Sequence, residues 1–308
     1  MTGMDCVLVL AGLAGLFLGG EFLVRGAVGV AHRLTIPPLL IGLTVVGFGT
    51  STPELLVSVD AALRGLPDIA IGNVVGSNIG NILLIAGLSA LVWPIRVPGD
   101  TLRRDIVVMM VAALALIPAF LSGEMGRPWG AVLIAGLAAY LVRAWPRPDT
   151  RTAGATAVSA PPFRVSALRV LFGLVALLIG ARFLVDGAVG IARGVGVSEA
   201  FIGLTVVAVG TSLPELATSL IAAVRRQSEI AVGTIVGSNI FNVLGILGAT
   251  ALIAPIPVAA RFAHFDLPVM IAASALLTGL LLWRAVIGRA TGVVLLLAYA
   301  VYVRAAMG

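Results

Sequence analysis

Ten long apolar runs, separated by short polar breaks, decide what this 308-residue chain can fold into. They fall near residues 6–31, 38–63, 69–93, 104–121, 129–145, 165–192, 199–224, 230–254, 265–283 and 289–305. A helix needs about 17–25 apolar residues to cross a ~30 Å hydrocarbon core. Barrel strands would instead alternate apolar and polar over about ten residues. Runs such as Val107–Phe120 and Leu168–Ile179 do not alternate. Lipid offers no hydrogen bonds, so every backbone polar group must be satisfied internally, which leaves helices. Composition agrees: 60% of residues are hydrophobic and 11% charged, against roughly 45–50% and about 25% in soluble domains.

The runs come in two sets. At an offset of 161 residues, Gly42–Ser58 (GLTVVGFGTSTPELLVS) matches Gly203–Ser219 (GLTVVAVGTSLPELATS) at twelve of seventeen positions. Ala70–Leu84 matches Ala231–Gly245 at nine of fifteen. The same offset pairs Arg64 with Arg225, Pro94 with Pro255 and Asp105 with Asp266. The period is far too long for a solenoid, so the chain is a duplicated half-protein. Five runs fall in each half, and five is odd. A unit with an odd number of crossings ends on the side opposite its start, so its copy enters the membrane upside down. The expected fold is all-α: a polytopic membrane protein with ten transmembrane helices as two inverted five-helix repeats, an arrangement common in secondary transporters. The expected units are a first repeat over 1–145, a linker rich in Pro, Arg, Thr and Ala over 146–164, and a second repeat over 165–308.

All 20 basic residues are Arg, and the net charge is +6. The Arg residues are scattered singly or in pairs between apolar runs, which argues against a nucleic-acid surface. Placing the N-terminus outside puts thirteen Arg in cytoplasmic loops and five opposite, with Arg25 and Arg182 inside segments. The positive-inside rule then sets both termini outside and the linker in the cytoplasm. Met1–Cys6 lacks a positive n-region, so the first run reads as a retained helix. A single cysteine, Cys6, excludes internal disulfides and Cys-rich metal sites. His32 and His264 are not repeat partners and sit at segment ends, as interfacial residues do.

Glu54 and Glu215 lie well inside segments that should span the bilayer. A carboxylate there costs a few kcal/mol or more and marks a functional site. No Arg is near either in sequence, and both halves carry the acid. Each follows a proline, in Gly49-Thr50-Ser51-Thr52-Pro53-Glu54 and Gly210-Thr211-Ser212-Leu213-Pro214-Glu215. Proline removes a backbone donor and disfavours a helical residue before it. The helix should therefore break, freeing carbonyls beside Thr and Ser hydroxyls and a carboxylate. Irregular backbone at membrane depth is tolerated only against protein or a water-filled cavity. In the next segment of each half, Gly76-Ser77-Asn78 leads to Asn81, and Gly237-Ser238-Asn239 to Asn242. Ser and Asn four residues apart share a helix face. The glycines recurring there suit close helix packing, but packing does not account for Ser and Asn at matching places in both halves.

Two carboxylates among many neutral oxygens suit a hard cation such as calcium or sodium. A −2 site would be costly to occlude empty, which favours an obligatory exchanger over a channel. No nucleophile–base pair or HExxH-like motif suggests an enzyme.

At these motifs the chain resembles the calcium/cation antiporter superfamily, most closely its prokaryotic sodium/calcium exchanger branch. GTSTPE with GSNIGN, and GTSLPE with GSNIFN, match that family's two alpha-repeats. The resemblance implies an ion site made by Thr50, Ser51, Glu54, Ser77, Asn81, Thr211, Ser212, Glu215, Ser238 and Asn242, joined by the carbonyls of Gly47 and Ala208. It implies Glu54 and Glu215 as central calcium ligands with sodium sites around them, and sliding of the first and sixth helices to alternate access. Some microbial members and the potassium-dependent branch carry Asp where this chain has Asn242, which argues against potassium cotransport. The proton/calcium branch shows a GNxxE-type motif in place of GTSxPE. The expected function is therefore exchange of sodium for calcium, with a calcium/proton or other divalent-cation antiporter as the alternative on the same scaffold. No cofactor is expected; the partners are the transported ions and the bilayer, around a monomer in a prokaryotic inner membrane.

Overall fold

The computed structural model describes residues 3–96, 100–144, 161–195, 208–284 and 286–306. It is helical apart from four two-residue strands among the described residues. The helices are α1 (Gly3–Leu34), α2 (Pro38–Thr50), α3 (Thr52–Leu63), α4 (Pro67–Val92), α5 (Asp100–Leu121) and α6 (Arg127–Ala144). The second half gives α7 (Phe163–Gly194), a short turn α8 (Ala208–Gly210), α9 (Leu213–Val224), α10 (Ser228–Ile253), α11 (Phe262–Trp283) and α12 (Arg289–Ala306). Seven described helices are long and apolar enough to cross a membrane, or eight when α2 and α3 are one bent span. Of the remaining expected segments, α6 does not meet that test and α9 has only 12 residues. Residues 199–207, ahead of α9, and most of the linker lie outside the described residues.

The bounds of α3 and α9, and of α4 and α10, recur at the 161-residue offset seen in the sequence. The strands β1 (Ile95–Arg96), β2 (Glu124–Met125), β3 (Ile256–Pro257) and β4 (Val286–Ile287) pair across the halves, β1 with β4 and β2 with β3, both antiparallel. The helix contacts cross in the same sense. Gly87 of α4 meets Gly292 of α12, and Gly130 of α6 meets Gly248 of α10. In both pairs a Cβ would fall 2.7 Å from a backbone oxygen of the partner. The backbones thus touch, as small residues allow between membrane helices.

Glycines also join α1 to α7. A Cβ on Gly15 would lie 2.9 Å from the Gly180 Cα, and one on Gly26 2.7 Å from the Val170 backbone N. Contacts that step down one helix as they step up the other make the two antiparallel. Leu10, Leu13 and Phe17 of α1, and Leu168, Leu171 and Phe172 of α7, are exposed. That rim is what a lipid-facing surface looks like. The larger core lies between α4, α10, α5 and α11, around Ile79, Ile82, Leu116, Val236 and Ile246, and a smaller one joins α1, α2 and α7 around Leu23, Val46 and Leu177. Chain-ending charges are bound locally: Arg261 bridges Asp266 and the Ala306 carbonyl, and Tyr302 donates to Asp266 at 3.0 Å. His32 and His264 are exposed at helix ends, where the sequence places them.

Candidate ion-binding site

The first helix expected to break does so; of the second, residues 196–207, ahead of Ala208, lie outside those described, and a turn at 211–212 precedes α9. The α2–α3 pair bends by 43°. Ser51 sits at the corner with ψ near 10°, and Ser212 adopts the same conformation before α9. Each serine is the residue ahead of its new helix, with proline at the second helical position. There the missing N–H is one the helix start leaves unbonded anyway. The corner therefore falls two residues before each proline, and it places Glu54 and Glu215 in the first turn of the following helix.

The second feature was not legible in the sequence. The α-helical winding widens to π-type turns at Asn81–Ile85 and Phe241–Leu247. One holds Asn81 and the other Asn242. Such turns leave carbonyls without their usual partners and are frequent at functional sites.

The broken helices exchange partners across the halves. Ser51 Oγ of the first half donates to Glu215 Oε1 at 2.7 Å, and Ser212 Oγ of the second donates to Glu54 Oε1 at 3.1 Å. Glu54 and Glu215 are only 1% and 2% exposed. The remaining oxygen of each carboxylate, Oε2, has no hydrogen-bond partner. Among the described residues no Arg or His forms an ion pair with either acid. A buried pair of carboxylates with neutral donors only is electrostatically incomplete. Its donor set is oxygen throughout, which fits a hard cation.

The other expected residues gather around this pair unevenly. Ser77 Oγ lies 3.2 Å from Ser212 Oγ, joining α4 of the first half to the corner of the second. Ser238 Oγ donates to the Gly47 carbonyl at 3.2 Å. Close backbone approach permits this: a Cβ on Gly47 would come within 3.1 Å of the Ser238 backbone N, and one on Gly237 would strike Leu43. In the second half, then, the recurring glycines do serve packing. Thr50 Oγ1 donates to the Val46 and Gly47 carbonyls at 3.0 and 3.2 Å. Asn81 and Asn242 are buried, with Asn81 Oδ1 and both Asn242 side-chain polar atoms unpartnered. Neither bonds to the serines or glutamates. Thr211 Oγ1 points elsewhere, to Asn73 Oδ1 at 3.4 Å. Ala208 opens the turn α8, next to residues that are not described.

Asn73 was absent from the expected set. Repeat matching hides it, because position 234 at the same offset is Thr.

The family model described as sodium/calcium exchanger protein matches residues 5–145 and 165–308. The chain belongs to the sodium/calcium exchanger family. Its members transport ions. The chain is 31% identical over 350 residues to the sodium/calcium exchanger MaX1 of Methanosarcina acetivorans, covering 98% of both proteins. It is 38% identical to the inner membrane protein YrbG of Escherichia coli, over 90% of this chain and 88% of that one. Its fold matches the sodium-calcium exchanger NCX_Mj, solved after soaking with sodium and calcium, with a TM-score of 0.87, 33% identity and 99% of each chain covered.

Proposed function

We propose that this exchanger-family protein carries sodium one way and calcium the other by alternating access around Glu54 and Glu215. The observation that carries the reading is the crossed exchange Ser51–Glu215 and Ser212–Glu54, around two buried carboxylates that lack a cationic partner. One calcium ion neutralises both acids; two or more sodium ions do the same with help from hydroxyls and carbonyls. Thr50, Ser77, Asn81, Thr211, Ser238 and Asn242, with the carbonyls of Gly47 and Ala208, complete the site. Calcium takes six to eight oxygens in flexible geometry, so a shell of this size serves it.

The architecture proposed is ten crossings in two inverted repeats over 1–145 and 165–308. Recurring element bounds, cross-paired strands and the antiparallel contact of α1 with its counterpart α7 support it. The α1–α7 pair is the body that slides, and the rest is the frame. Both carboxylates come from one chain, so a monomer suffices. The resemblance to YrbG, named an inner membrane protein, supports a prokaryotic inner membrane. Arg distribution supports termini outside and the linker inside.

The test is calcium uptake into liposomes loaded with sodium. Uptake stops when the sodium gradient is collapsed, and in Glu54→Gln and Glu215→Gln. Uptake driven by a pH gradient alone would replace sodium with protons as the coupling ion. Normal transport by both variants would remove the glutamates from the site.

A further inference from the structure

The helices α1 and α7 carry their central charges in reversed order. Glu21 and Arg25 of α1 correspond, at the 161-residue offset, to Arg182 and Asp186 of α7. The arginines that follow the corner helices do not reverse: Arg64 comes after α3 and Arg225 after α9. In the inverted arrangement proposed above, α1 meets α9 at one end of the motion and α7 meets α3 at the other. The same arginine is then met by an acid in one case and by a base in the other.

The first of these meetings is present. A Cβ on Gly20 of α1 would lie 3.0 Å from Ile221 Cγ1 and 3.4 Å from the Ala217 carbonyl of α9. Beside it, Arg225 donates from Nε and Nη2 to the two carboxylate oxygens of Glu21, the fork geometry that suits this pair. Arg25 binds the same carboxylate from within α1, so the Arg225 pair is the one that joins α1 to the frame. The matching face of α3 is bare. Leu56 is 65% exposed and Val57 37%, while Thr218, the counterpart of Val57, is fully buried. Arg64 and Arg182 pair instead with acids of their own helices, Asp60 at 2.8 Å and Asp186 at 3.9 Å. Pairs within a helix travel with it and are kept in both states.

The turn that bears Arg225 is also braced on one side only. Arg226 has φ 58° where its counterpart Gly65 has φ 71°, a left-handed conformation that disfavours a side chain. The Arg226 guanidinium lies over the ring of Trp93, 4.2 Å from its centroid, just past the end of α4. A cation on an aromatic face is an attractive contact, and it ties the turn to the frame. Gly65 has no side chain with which to do the same, and Ala254 stands at the place that matches Trp93.

We propose that Glu21 and Arg225 form a latch that favours the state in which α1 lies on α9, and that the opposite state has no equal latch. In that opposite state Arg182 takes the place of Glu21 beside Arg64, and each guanidinium is already held by its own helix. A site that is competent for a smaller share of the time binds with weaker apparent affinity. The ion pair therefore makes the apparent affinities at the two membrane faces unequal without touching an ion. This rests on the sliding α1–α7 pair proposed above and goes beyond it by naming the favoured state and the residues that favour it.

The test reads the opposite state through a cross-link. In a chain with Cys6→Ala, Leu56→Cys and Ala181→Cys stand at the counterparts of Ala217 and Gly20, so a short bifunctional thiol reagent joins them when α7 lies on α3. In liposomes, adding Glu21→Gln should raise the cross-linking rate about two- to fivefold, the size of a part-exposed ion pair. Glu21→Arg combined with Arg225→Glu should return the rate to that of the parent chain. The gap between Glu21→Gln and its parent should shrink in about 1 M salt. An unchanged rate in Glu21→Gln, or a charge swap that cross-links as fast as Glu21→Gln, would overturn the latch and leave the sliding reading standing. No cross-link in any of these chains would remove the sliding pair itself, and the latch with it.

Discussion

Gly237→Ala tests the claim that backbone contact between α2 and α10 is what brings the site together. A Cβ at Gly237 would strike the Leu43 carbonyl oxygen and lie 2.6 and 2.7 Å from the Leu43 Cα and C. All three are backbone atoms, so no side chain can rotate away. Ordinary van der Waals contact begins at 3.4 Å, so clearing the Leu43 Cα alone takes a retreat of α2 by about 0.8 Å, and the nearer carbonyl oxygen takes more. That retreat opens the Ser238–Gly47 bond from 3.2 Å to about 4 Å, beyond hydrogen-bond range. Overpacking of this kind costs about 1–3 kcal/mol, partly offset by about 0.5–1 kcal/mol from replacing glycine in a helix. The net expectation is a loss of about 1–2 kcal/mol together with weaker cation binding. Gly136→Ala on α6 is the matched control. Its Cβ would meet only Leu244 methyl groups, at 3.6 and 3.9 Å. It should gain about 0.5 kcal/mol and leave transport alone. The assay is Tm in detergent, with and without calcium, beside liposome uptake. Two substitutions of the same kind should have opposite signs. If both raise Tm, or if Gly237→Ala keeps wild-type half-saturation for calcium and sodium, the close-approach argument fails.

Ser51→Ala should raise the half-saturation for calcium more than Ser212→Ala, since the Ser51 bond to its carboxylate is shorter, 2.7 against 3.1 Å. Hydrogen bonds to a charged group are worth about 1.5–3 kcal/mol, so a shift near tenfold is expected for Ser51, and the reverse order in uptake curves would count against the crossed arrangement. Tyr302→Phe strips buried Asp266 of a 3.0 Å donor; a Tm loss equivalent to about 1–3 kcal/mol is expected with transport kinetics unchanged. Glu21→Gln breaks the ion pairs to Arg25 and Arg225, whose side chains are 54% and 35% exposed. It should cost less than about 1 kcal/mol and lose its effect in high salt, as thermal melts at two ionic strengths will read.

Much of the fold was legible because membrane helices announce themselves by length and apolarity, and because a duplicated sequence predicts duplicated elements. The 161-residue offset measured between GTSTPE and GTSLPE reappears in the bounds of α3 and α9 and of α4 and α10. The helix breaks were legible for a chemical reason: proline cannot donate, so Pro53 and Pro214 mark where the ladder must give way. Three things were hidden. The corner lies two residues before the proline, since a helix accepts proline near its start. The wide turns at Asn81 and Asn242 have no breaker residue to mark them; they depend on how α4 and α10 pack. The cross-bonds depend on which side chains meet across the halves, and neither sequence spacing nor repeat matching encodes that.

The hidden part has its own logic. Repeat matching finds what the halves share, and what they share is a pair of equal carboxylates in equal corners. An exchanger that admits different ions must nevertheless treat its flanks differently at any moment. Global rearrangement supplies part of that difference, and residues that differ between the repeats supply a fixed part. Asn73 is such a mismatch: it accepts from Thr211 of the opposite half, whereas its counterpart Thr234 bonds back to its own helix. In a duplicated transporter the matched repeat positions should therefore name the site, and the mismatched neighbours that bond to them should make its two flanks differ.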